Sequence, residues 1–260
     1  MKTVPALFVS HGAPTFALEP GVAGAALTAL GRRLPALQAV LVVSPHWITP
    51  GLRVTASAHP ATMHDFGGFP KALYELQYPV PGDPVLAADV VRLLAGAGLD
   101  ATLDGQRGLD HGAWVPMRHL LPDAVTPVLQ LSMTESLDAS GALRLGRALR
   151  PLRERGVLVV GSGSLTHNLG EFRGPANGEA AYVTDFVRWI RQAVTTRDLD
   201  ALVDYRQRAP HAERAHPTEE HFLPLLVALG AAFDSDAVEV IDGGTVYGML
   251  SMESYVFELT

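Results

Sequence analysis

The sequence predicts an α/β fold in which helices cover both sides of a mostly parallel or mixed sheet. Two observations carry this. Short, unbroken apolar runs rich in β-branched residues recur along the chain, as buried strands require, and Ala/Leu/Arg-rich stretches with helical spacing separate them. Composition allows it: of 260 residues 48% are hydrophobic and 18% charged, enough apolar surface for a large core and no sign of disorder.

The elements follow in order. Residues 5–10 (PALFVS) form the first strand, and the start MKTVPALFVSHG, broken early by Ser10 and His11, is a strand rather than a signal peptide. A helix is expected over 21–34, then strands over 39–44 (AVLVVS) and 52–56. Residues 59–84, crowded with Gly and Pro, read as a long ordered loop or lid. Helices over 84–97, 139–155 and 180–196 alternate with strands over 126–131 (TPVLQL) and 156–161 (GVLVVG). Strands over 238–241 and 248–259 close the chain, the last alternating well enough to suggest a hairpin or sheet edge. No composition shift, linker or repeat divides the chain, so one domain over 1–260 is expected.

Several function classes are excluded or disfavoured. A net charge of −7 with scattered basic residues disfavours nucleic acid. No run approaches the ~18 apolar residues of a membrane span, and a cytoplasmic protein is expected. Cysteine is absent, so any metal must sit on nitrogen and oxygen. Monomer and dimer both stay open.

Three of the ten histidines share one kind of place: His11 directly after PALFVS, His46 two residues after AVLVVS, and His167 shortly after VLVVGSGS. Loops leaving the C-terminal ends of sheet strands converge, so these imidazoles can share a pocket. His221, in HPTEEHFLPLL, is a further candidate, placed in the first turn of a helix capped by Thr218, with Pro224 blurring the start. A lone histidine after a strand is more often a capping or hydrogen-bonding residue, and it is the repeated placement that favours a site. His59, His119 and His211 lack it and are assigned to the surface. His111, beside Asp110 in GLDHGAW, fits either a helix cap or a polar pocket wall. The GSGS segment around Gly161 and Gly163 matches neither a phosphate-binding glycine motif nor, for Ser162 and Ser164, a nucleophile elbow.

Together the segments PALFVSHGAP, VVSPHW, HDFGGFPKALYELQYPVPG, LDHGAWVPMRHLLPDA, VLQLSM, GSGSLTHNL, PTEEHFLPLL and GMLSMESY span nearly the whole chain. In order and spacing this set resembles the extradiol ring-cleavage dioxygenases of the LigB superfamily (class III), in particular its DOPA 4,5-dioxygenase-like branch. The resemblance implies a three-layer α/β/α sandwich and a mononuclear metal site. It implies His11, His46 and His221 as ligands, and His167 as acid/base that becomes a fourth ligand to zinc when no substrate is bound. His111 would touch substrate or oxygen. Better-known members complete the site with a carboxylate, which leaves Glu219 and Glu220 as alternatives to His221. Ferrous iron would support the oxygen chemistry, whereas zinc would occupy the same site without turnover. The substrates would be a catechol-type ring and O2, the product a ring-opened semialdehyde, with Phe66, Phe69, Tyr74 and Tyr78 as a candidate wall for the planar ring. The rival readings are a zinc-dependent hydrolase and a non-catalytic interaction protein of the Memo type.

Overall fold

The computed structural model describes residues 3–172 and 178–258. Its strands are β1 (Ala6–Ser10), β2 (Ala39–Thr49), β3 (Leu52–Thr55), β4 (Ala101–Asp104), β5 (Val128–Thr134), β6 (Val157–Gly163), β7 (Ala237–Ile241), β8 (Thr245–Val246), β9 (Leu250–Ser251) and β10 (Ser254–Glu258). The helices are α1 (Gly21–Arg33), α2 (Lys71–Tyr74), α3 (Pro84–Gly96), α4 (His111–Leu120), α5 (Ala139–Leu149), α6 (Pro151–Glu154), α7 (Ala181–Thr195), α8 (Leu199–Val203), α9 (Tyr205–Arg208), α10 (Ala212–Ala215) and α11 (Leu223–Ala231).

Eight strands form one mixed sheet in the order β4-β3-β5-β2-β6-β1-β10-β7. Its middle is parallel, with Leu41 opposite Leu129 on one side and Val159 on the other, and Leu7 opposite Val160. Because successive side chains point to opposite faces, β1 splits its residues between two cores. Ala6 and Phe8 join Leu41, Val43 and Val159 beneath α3, α5, α7 and α11, whereas Leu7 and Val9 join Val40, Val42 and Val160 beneath α1 and α4. The fold is therefore the expected α/β sandwich, and β1 and β6 are buried along their whole length because both faces are covered.

Several boundaries differ from the sequence reading. The helix expected over 139–155 breaks into α5 and α6 at Pro151, which has no amide hydrogen to continue the first helix. The final strand is two pieces, β9 and β10. β10 pairs antiparallel with β7 but lies between it and β1, so β7 is the edge. Residue 259 of that expected strand, like the ends of the expected domain 1–260, lies outside the described residues. β4 was not anticipated, because its four residues ATLD are partly exposed and make no apolar run. The short helices α8, α9 and α10 also had no separate signature. The loop over 59–84 carries only α2 and is tied down by backbone bonds, Met63 N–H to the Leu109 carbonyl and Leu109 N–H to that of Ala61, both 2.8 Å.

Candidate metal and catalytic centre

Five histidines meet at the C-terminal edge of the parallel strands. His11 leaves β1 and is 1% exposed. Its Nδ1 lies 3.0 Å from Ser162 Oγ, and the Ser162 hydroxyl donates to the Gly112 carbonyl. With the hydroxyl proton so used, Ser162 accepts from His11 Nδ1–H, and the His11 Nε2 lone pair is left bare. His46 brings its Nε2 to 3.1 Å from that atom. It sits not beyond β2 but inside it, where the pairing with β5 slips between Val43 and Ile48. Such an irregularity turns a side chain out of the ladder.

His221 lies in the turn before α11, not in its first helical turn. Thr218 donates to Glu220 instead of capping, and α11 starts only at Leu223 with Pro224 in its first turn. The His221 Nδ1–H donates to Glu220 Oε1 at 3.1 Å, and its Nε2 is buried with no hydrogen-bond partner. One ligand-type atom from each of His11, His46 and His221 falls within 4.8 Å of the others. A buried orphaned nitrogen costs free energy unless something binds it, and the bare nitrogens of neighbouring imidazoles fit a cation. Burial, then the neighbouring imidazoles, hold His11 and His221 well below the usual histidine range. Burial followed by His111 lowers His46 to about 3, despite Asp65. These rings are neutral at pH 7, the state in which imidazole binds metal.

Two more groupings, His46–Asp65–His111 and His167–Glu220–His221, lie within the same distance limit. Their carboxylates are already engaged. Asp65 accepts the His111 backbone N–H at 2.9 Å and its ring Nδ1–H at 3.0 Å, as Glu220 accepts that of His221. They read as carboxylate–imidazole orienting pairs around one centre. Of the two glutamates, Glu220 therefore sits behind the His221 ring, and Glu219 is in none of these groupings among the described residues. The His167 ring stacks on His221 at 3.5 Å and 7°, and burial lowers its pKa against the pull of Glu220.

His111 opens α4, its ring 3.9 Å from that of His46 between centroids. Both readings of its neighbour hold together. Asp110 caps α4 through Ala113 N–H and also accepts from Ser44 Oγ–H and Gln130 Nε2–H in the buried wall. Burial raises the pKa of Asp110, against the hydrogen bond from Gln130. Gly112 is needed for space: a Cβ there would come within 2.3 Å of Ser44 Oγ and 2.9 Å of His46 Cδ2. The GSGS glycines serve packing as well, since a Cβ on Gly161 or Gly163 would strike the carbonyls of Pro224 or His221.

His59 and His211 are exposed as expected, but His119 is half-buried with its ring N–H on the Phe16 carbonyl at 2.9 Å. Phe66 meets the His111 ring edge-on at 5.7 Å and packs with Phe69 and Tyr74. Tyr78 is buried and bonds the Leu121 carbonyl. Sequence reasoning missed Asp65, the orienting role of Ser162, and His216, whose Nε2–H donates to the Leu165 carbonyl at 2.7 Å. None has a local signal, because each partner is 46 to 151 residues away.

The model of the family described as "Catalytic LigB subunit of aromatic ring-opening dioxygenase" matches residues 6–258. The chain belongs to the LigB family. This LigB-family chain is 39% identical over 259 residues to a 4,5-DOPA dioxygenase extradiol of Beta vulgaris, covering 97% of the chain and 96% of that protein. A protein of the same name from Escherichia coli (strain K12) is 39% identical over 256 residues, covering 96% and 93%. The crystal structure of an uncharacterized protein from Escherichia coli K12 superposes with a TM-score of 0.81 at 33% identity, covering 97% of this chain and 99% of that one. The LigB-family chain is thus an enzyme, an extradiol ring-opening dioxygenase and so an oxidoreductase. Among its described residues no helix is long and apolar enough to cross a membrane.

Proposed function

We propose that this LigB-family enzyme is one catalytic domain over 1–260 that opens catechol-type rings with O2, using ferrous iron held by His11, His46 and His221. What carries the reading is the buried, unpartnered Nε2 of His221 beside the paired Nε2 atoms of His11 and His46. Ferrous iron, when bound, supplies the redox couple and Lewis acidity that oxygen chemistry on a diol needs, and zinc in the same place supplies only the second. His11 is held ready by Ser162 and His221 by Glu220, each with its other nitrogen turned toward the cluster. His167, neutral because buried, takes the proton of a diol hydroxyl. His111, its Nδ1 engaged by Asp65, offers Nε2 to substrate or oxygen, and either histidine returns the proton as the ring opens. His167 also serves as a fourth ligand to zinc in the absence of substrate. Phe66, Phe69 and Tyr74 wall one side for a planar ring, and the product is a semialdehyde. A cytoplasmic location belongs to the same reading.

The test is anaerobic reconstitution with ferrous iron, then air and a panel of catechols including DOPA, following oxygen uptake and a yellow ring-opened product. Turnover that vanishes in His11→Ala and His46→Ala is the expected result. Stoichiometric iron with no uptake across the panel refutes it.

A further inference from the structure

Asp65 lies in the loop over 59–84, 46 residues from the histidine it serves, with its side chain 17% exposed. Both of its oxygens go to one residue: Oδ1 accepts the His111 backbone N–H at 2.9 Å and Oδ2 the ring Nδ1–H at 3.0 Å. A two-point grip of this kind sets the ring plane and leaves Nε2 as the bare nitrogen. The ring so aimed lies 3.9 Å from His46 and 5.6 Å from His11 between centroids, with Phe66 edge-on to it.

A simple clamp on the loop would not need this arrangement, because the loop is held without Asp65. Met63 and Ala61 are bonded to the Leu109 backbone, Trp114 Nε1–H donates to the Met63 carbonyl at 2.8 Å, and His64 Nε2–H donates to that of Leu76 at 3.0 Å. At the start of α4, Asp110 caps the Ala113 N–H, and an amide oxygen at position 65 would still accept the His111 N–H. Beyond the His111 peptide N–H, what Asp65 alone engages is the His111 imidazole.

We propose that Asp65 is a positioning residue for ring opening, fixing through its two-point grip the orientation and tautomer in which His111 meets substrate. The inference rests on the reading of His111 given above. In Asp65→Asn the amide oxygen still accepts the backbone N–H, but the amide N–H2 faces Nδ1 and demands a lone pair there. The ring must move its proton to Nε2, the nitrogen that faced the centre. An isosteric Asn behind a catalytic histidine acts in this way in serine proteases.

The experiment compares wild type, Asp65→Asn, Asp65→Glu, His111→Ala and the Asp65→Asn/His111→Ala double variant. Iron content, Tm, kcat and KM with a catechol are measured, together with ring 15N shifts of 15N-histidine-labelled, zinc-loaded protein. The expected result is kcat lower by about 10- to 100-fold in Asp65→Asn, with KM, iron content and Tm close to wild type. The His111 signals should exchange between the two tautomer patterns, and Asp65→Glu should recover part of kcat. In the His111→Ala background Asp65→Asn should have no further effect, since one residue acts through the other. An equal loss in both backgrounds, an unchanged tautomer, or loss of the fold in both Asp65 variants overturns the proposal. Full turnover in His111→Ala instead overturns the reading of His111 itself, so the two failures are told apart.

Discussion

At the scale of single residues, two of the candidate ligands have one ring nitrogen engaged by an oxygen and the other turned toward the histidine cluster. Ser162 does this for His11 and Glu220 for His221. Ser162→Ala should therefore lower metal affinity by about 10- to 100-fold with little change in fold, as read by chelator competition against circular dichroism; unchanged affinity would show that the Ser162 contact is incidental. His167→Ala should lower turnover by about 10²- to 10⁴-fold while most of the metal stays bound, and an equal loss of both would make His167 chiefly a ligand. His11, His46 and His167 were legible because each sits just past or within a recognisable apolar run. The orienting partners Asp65 and Ser162 were not, because neither a loop Asp nor a strand Ser carries a mark of a partner far along the chain.

The elements hold the centre by close backbone approach. α11 is buried on every side, and the segment leading into it packs on β6 so tightly that a Cβ on Gly161 would lie 1.9 Å from the Pro224 carbonyl and one on Gly163 2.3 Å from that of His221. Ser164 N–H donates to the same His221 carbonyl at 2.9 Å. Gly161→Ala should thus push α11 off the sheet, destabilise the protein by about 1–3 kcal/mol and lower metal content through His221; denaturant unfolding and metal analysis check this, and unchanged values in both would refute the packing role. The glycine-rich run itself was plain in the sequence. That it answers to a helix some 60 residues later was not, since the spacing needed by an approaching backbone resembles that of any flexible loop.

For the whole molecule, the cluster makes stability depend on pH. His46 and His216 fall to about 3 and His11, His167 and His221 are also lowered, chiefly by burial, whereas in the unfolded chain histidine titrates near 6.5. Between about 3 and 6.5 the unfolded chain binds more protons, so the stabilisation is complete above about 6.5 and lost as pH falls toward 3. The Tm of metal-free protein should drop steadily from pH 7 to 5, and added metal should protect less as protons compete for the same nitrogens; a flat profile would contradict the buried, neutral cluster. By itself the sequence determined the α/β class, the two-faced burial of the parallel strands and the origin of His11, His46 and His167 within or just past apolar strand runs, because periodicity and apolar runs are local, although His46 lies inside β2 rather than at its end. Only the tertiary structure decided that β10 lies inside the sheet, that Ser162 orients His11, and that Asp65 grips His111. Those outcomes depend on contacts between segments tens to hundreds of residues apart, and no local pattern encodes which distant side chain will take a given nitrogen.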